Sequence, residues 1–132
     1  MLGGSWKGRS IEPDYVLGQN EASVGAMRIA EADWKVFKKV RAEARDRFSR
    51  RVLAECEDIS RDETKTAHER YVTLYRHVRG RDKEMARIFD DFQRSTALLQ
   101  LMLMYKHDLL TQEEIEAFSE EVQRSLEDTG VV

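Results

Sequence analysis

The chain has 132 residues, of which 41% are hydrophobic and 36% charged, with a formal net charge of −3 and one cysteine. That length makes one domain around one modest core, and that balance is too apolar for a disordered polyampholyte. A negative whole-chain charge offers no general attraction to nucleic acid or anionic membranes, and the single cysteine, Cys56, excludes an intrachain disulfide and a cysteine-based zinc site while fitting a reducing compartment.

Breakers are concentrated at the start. The only proline is Pro13, and five of the seven glycines (Gly3, Gly4, Gly8, Gly18, Gly25) fall in the first 25 residues. Residues 1–26 are expected to form an extended N-terminal arm carrying Trp6, Ile11, Tyr15, Val16 and Leu17, and residues 27–132 a helical domain. Met1 to Pro13 holds no apolar stretch of signal-peptide length, and the run Ala97 to Tyr105 falls far short of the roughly 20 residues that span a bilayer. A cytoplasmic protein that does not enter the membrane is therefore expected.

The first helix is predicted from about Ala30 to Ile59, where Trp34, Phe37, Val40, Ala44, Phe48, Val52 and Ile59 recur at helical spacing. After a polar break at Ser60 to Glu63, Tyr71, Leu74, Tyr75 and Val78 mark a second helix, with Gly80 as its C-terminal cap. Asp82 can then cap a third helix from about Lys83 to His107, striped by Met85, Ile88, Phe89, Phe92, Thr96, Leu99 and Leu103. The last helix begins at Thr111-Gln112-Glu113-Glu114, a capping box, with Leu110 and Ile115 as a hydrophobic staple; Ile115, Phe118 and Val122 carry its core stripe towards Leu126. The fold class expected is all-α: a small helical bundle of about four helices with an irregular N-terminal arm.

In the third helix, apolar residues from Leu98 to Tyr105 point in nearly every direction around the axis, which exceeds what a small bundle buries by itself. A homodimer is expected, with Leu98, Leu101, Met102, Met104 and Tyr105 as candidate subunit-interface residues.

No pattern demands catalysis. His68, His77 and His107 lack the HExxH and ExxH spacings, no glycine-rich loop follows a strand, and the serines lack a nucleophile elbow. Cys56, on the edge of the first apolar stripe, reads as a packed small hydrophobe. No catalytic residue, metal or cofactor is expected.

Charge is polarised along the chain. Between Lys35 and Arg51 eight cations face only Glu43 and Asp46, a second basic cluster (Arg76, Arg79, Arg81, Lys83, Arg87) surrounds Gly80, and Asp108 to Asp128 holds eight acids against Arg124. Either the acidic last helix lies against the basic first one, within or between subunits, or the cations form a face for an anionic partner. Candidates for such a face are Lys35, Lys38, Lys39, Arg45, Arg79 and Arg81, with Tyr71 and Tyr75 able to stack on bases.

The segment Glu31 to Lys39, EADWKVFKK, and the stretch Leu98 to Val122, LLQLMLMYKHDLLTQEEIEAFSEEV, together resemble a group of small bacterial all-helical proteins of unknown function. The resemblance is carried by Asp33, Trp34, Lys35 and Phe37, then Glu116, Phe118, Ser119 and Val122; it departs at Ala30, where members have a capping serine, and at His107-Asp108, where a glycine-containing turn is usual. It implies an all-helical fold and supplies no catalytic residue. The function expected is that of a non-enzymatic protein–protein interaction module whose partner is a second copy or another protein. The alternative is a nucleic-acid-binding regulator that uses the basic first helix.

Overall fold

The computed structural model describes residues 28–131, so the expected arm at 1–26 lies outside the described residues. Its elements in chain order are α1 (Glu31–Arg61), α2 (Ala67–Phe89), a 3-10 turn (Arg94–Thr96), α3 (Ala97–Lys106), α4 (Gln112–Glu116) and α5 (Glu120–Val131), with no strand among the described residues.

At about 1.5 Å per residue, α1 runs roughly 46 Å. Its buried stripe of Asp33, Phe37, Val40, Ala44 and Phe48 follows the predicted periodicity. Glu31 and Asp33 in its first turn suit the positive end of the helix dipole, while Ala30 makes no side-chain cap. The helix stops at Asp62, whose carboxylate accepts hydrogen bonds from the Thr64 hydroxyl and Thr64 N–H and is thereby held below the ordinary carboxylate range. Four residues after Asp62, Thr66 and Glu69 form a reciprocal capping box that starts α2.

Gly80 does not end α2. It has no positive φ, a Cβ added there would meet nothing within 4 Å, and the helix runs through it to Phe89. Ile88 and Phe89, both buried, hold the continuation in the core. The true break lies at residues 90–93, where neither glycine nor proline stands. Arg41 of α1 donates to the Phe89 carbonyl and lies 4.4 Å from the Phe92 ring centroid, satisfying the C-terminal end of α2 from outside.

The end of α3 is a Schellman motif: Leu109 N–H reaches Met104 O at 2.9 Å, and Asp108 N–H reaches Tyr105 O at 3.0 Å. Asp108 takes the left-handed position, φ 58°, that glycine usually occupies. Arg51 donates to the His107 and Asp108 carbonyls, and Arg47 to the Leu109 carbonyl.

The Thr111–Glu114 capping box is present and starts α4. The single last helix expected from Thr111 is divided, however, because Asp33 intervenes. Its carboxylate accepts from Ser119 N–H (2.8 Å) and Ser119 Oγ (2.7 Å), diverting the Ser119 N–H from the preceding helix, while the Ser119 carbonyl accepts from Gln123 N–H and α5 begins afresh at Glu120. The core then closes around Phe37, Phe48, Ile88, Phe89, Leu101, Met104, Leu109, Phe118, Val122 and Leu126.

Candidate functional site

Every buried residue lies either at or before Phe48 or at or after Ile88. Between them, the second half of α1, the Asp62–Lys65 turn and most of α2 form a two-helix hairpin that extends beyond the body. Its helices pack together, carry half-buried Val52, Ile59, Leu74, Val78 and Met85, and are joined by one polar node. There, Arg81 Nε and Nη2 donate to Glu55 at 2.9 and 2.7 Å, His77 Nε2 stands 2.7 Å from Glu55 Oε1, and Arg81 also pairs with Glu84. The hydrogen bonds from Arg81, helped by His77 and opposed by burial, bring the Glu55 carboxyl down to about 2, and the same Glu55 bond raises the Arg81 guanidinium above its ordinary value. Arg70 fastens the tip by donating to Ser60 O at 2.7 Å.

One edge of this hairpin is apolar and open. Leu53 is 68% exposed, Tyr71 69% and Tyr75 52%. A shallow groove of about 230 Å³ runs between Val52 and Leu53 on α1 and Val78, Asp82 and Met85 on α2. Tyr71, Tyr75, Val78 and Asp82 follow one another at helical spacing, so the tyrosines continue the groove's α2 wall towards the tip. Cys56 is half-buried and free. The spacing of Tyr71 and Tyr75 marked their helix and left their surroundings open; among the described residues nothing packs closely over that side of α2. Leu53 was the available signal: a large apolar residue that fits no core stripe of α1.

The expected subunit face on α3 is only partly available. Leu101 and Met104 are fully buried within the chain, leaving no surface for a second copy. Leu98, Met102 and Tyr105 are half-buried, and the exposed member of the run is Leu99. A second, polar concavity of about 530 Å³ lies beside it, lined by Tyr105, Lys106, Asp108, Leu110, Gln112, Ile115 and Thr129.

The basic segment of α1 divides by direction. Arg41, Arg47 and Arg51 turn inward to helix-terminal carbonyls, and Arg47 also grips Glu114 with two bonds of 2.9 Å. Burial pushes the Glu114 carboxyl up, but bonds from Arg47 and from Thr111 outweigh it and hold the group below its ordinary value. Lys35, Lys38, Lys39 and Arg45 face outward and are exposed; Lys38 lies over the Trp34 ring, and the other three make no ion pair with any described residue. Arg79 is exposed across Tyr75, whereas Arg81 is committed to Glu55 and Glu84 and does not belong to that outward face. Among the described residues, Glu114 is the one carboxylate of the acidic C-terminal region that forms an ion pair with α1, while Glu113, Glu116, Glu120, Glu121, Glu127 and Asp128 are exposed.

Among the described residues no three His, Cys, Asp or Glu side chains are grouped to hold a metal ion, and no helix is long and apolar enough to cross a membrane. No protein-family model, curated protein or solved structure matches the chain.

Proposed function

We propose that this protein is a non-enzymatic interaction module that holds a helical hairpin out from a packed body and engages a protein partner along the hairpin's apolar edge. The observation that carries the reading is the concentration of Leu53, Tyr71 and Tyr75, each more than half exposed, on one edge of an element that has no buried residue. Large apolar side chains gathered in this way, next to a groove and rimmed by charge, are the usual composition of a contact surface. The fold does not need them: the core is complete without the hairpin's edge.

A photo-activatable phenylalanine analogue at position 71 tests the reading in cells. It is expected to form protein adducts that the same probe at exposed Glu116 does not, and that Leu53→Ser/Tyr75→Ser removes while leaving the melting temperature within a few degrees. Equal adducts at both positions, or none at position 71, would end the proposal.

The outward face of Lys35, Lys39 and Arg45 supports the second reading, an anionic nucleic-acid partner. Replacing these three with glutamine should then weaken binding to duplex DNA or structured RNA and flatten its salt dependence. Absence of binding by the parent chain at low salt would exclude it.

A further inference from the structure

A two-helix hairpin cannot close an apolar edge on itself, since each helix already spends its one inward stripe on the other. We propose that this edge is closed by the same edge of a second copy of the chain, the two hairpins packing antiparallel about a two-fold axis near Tyr75 to complete a four-helix bundle. The inference rests on the hairpin being an interaction element, and it names that element's partner and direction.

Charge chooses the direction. Residues 57–70, around the tip, hold three cations and five carboxylates, whereas residues 76–87, along the stem, hold five cations and two carboxylates. A parallel pairing would set tip against tip and stem against stem, like charge on like; an antiparallel pairing sets each acidic tip on the partner's basic stem. The rim residues are available for it, because Glu63, Arg79 and Lys83 are all exposed.

Position chooses the register. Leu53 lines the groove at the level of Val78 and Asp82, on the body side of Tyr75, and Tyr71 lies one turn towards the tip. A two-fold axis at Tyr75 brings Leu53 of each copy onto Tyr71 of the other and sets the two Tyr75 rings against one another, the reciprocal contact that an isologous interface requires. Val78 and the half-buried Cys56 fall close to that axis. At about 1.5 Å per residue and about 10 Å between helix axes, the edge measures about 30 by 20 Å; the two copies together bury about 1,200 Å², the lower end of specific interfaces. An interface of that size suits a reversible dimer.

Sedimentation equilibrium on the full chain, over concentrations from about one to several hundred micromolar, is the test. The parent is expected to dimerise. Tyr75→Glu, which places two like charges at the axis, should weaken the dimer by at least tenfold, Leu53→Glu should act in the same direction, and Leu99→Glu on the body should leave it unchanged. Circular dichroism of the hairpin variants should match the parent, since both positions are more than half exposed. Raising salt from about 0.05 to 0.5 M should loosen the dimer, because opposite charges face each other. A parent that stays monomeric, a dimer sensitive to Leu99→Glu and indifferent to both hairpin variants, or a dimer that tightens as salt rises would overturn the inference. Adducts of the position-71 probe with a different protein, from a monomeric parent, would overturn this inference and leave the interaction-module reading standing; no adducts and no dimer would end both.

Discussion

Along α1, residues up to Phe48 press Phe37, Val40, Ala44 and Phe48 into a core shared with α2, α3 and the C-terminal helices, whereas residues beyond Val52 meet little beyond α2. The body is held by burial of apolar surface. The hairpin is held by half-buried contacts, two end-caps and the Glu55–His77–Arg81 node. A single helix thus serves two regimes, and substitution should cost very different amounts at its two ends.

The largest contrast is between two leucines. Leu101→Ala in the body should cost about 2–5 kcal/mol in chemical denaturation through lost transfer energy and the cavity left behind, whereas Leu53→Ala on the hairpin should stay within about 0.5 kcal/mol. Equal costs would abolish the distinction between the regions. Next, Arg47→Ala removes two bonds to Glu114 and the partner of the Leu109 carbonyl, so a loss of about 2–3 kcal/mol is expected, read as a lower denaturation midpoint. Gly80→Ala sharpens the comparison from the other side. The site is helical with open space around the missing Cβ, and a gain of about 0.5–1 kcal/mol is expected.

The smallest effect is confined to the hairpin and depends on pH. Glu55 has its carboxyl lowered from 4.5 to about 2 in the fold, so the stability it contributes is present in full above 4.5 and is lost as the pH falls towards 2. Hydrogen exchange followed by mass spectrometry at acid pH should show hairpin amides opening before those of the Phe37–Leu101 core, and Glu55→Gln should remove that part of the pH dependence. Simultaneous opening of both regions would join what the contacts separate.

How much of this was legible in the sequence follows from where each signal is encoded. The α1 stripe and the Thr111–Glu114 box are local patterns, and both stand where periodicity and capping chemistry placed them. The Thr66–Glu69 box is equally local, whereas Gly80 is a false stop signal, a residue whose freedom the helix does not use. The division of the last helix was not legible. It depends on Asp33 reaching Ser119 across 86 positions, although each of these residues is conspicuous within its own segment. The apolar run of α3 signalled burial correctly; at Leu101 and Met104 the cover comes from within the chain, whereas Leu98, Met102 and Tyr105 stay half-buried. Tyr71 and Tyr75 show the converse, since a stripe at helical spacing reports that a helix exists and leaves open what lies opposite.

Arg41, Arg47 and Arg51 also determine where other helices finish. The terminal carbonyls of α2 and those following α3 receive their donors from α1, and neither stop contains a glycine or proline. The punctuation of this chain is therefore written in one helix and read by others. A peptide spanning residues 67–106, cut away from α1, keeps the local Thr96 and Gln93 bonds at the break but loses the Arg41 contacts with Phe89 and Phe92, and its break at residues 90–93 should be less firmly held. Length of helix is here in part an outcome of assembly, since the groups that satisfy one helix's end are supplied by another.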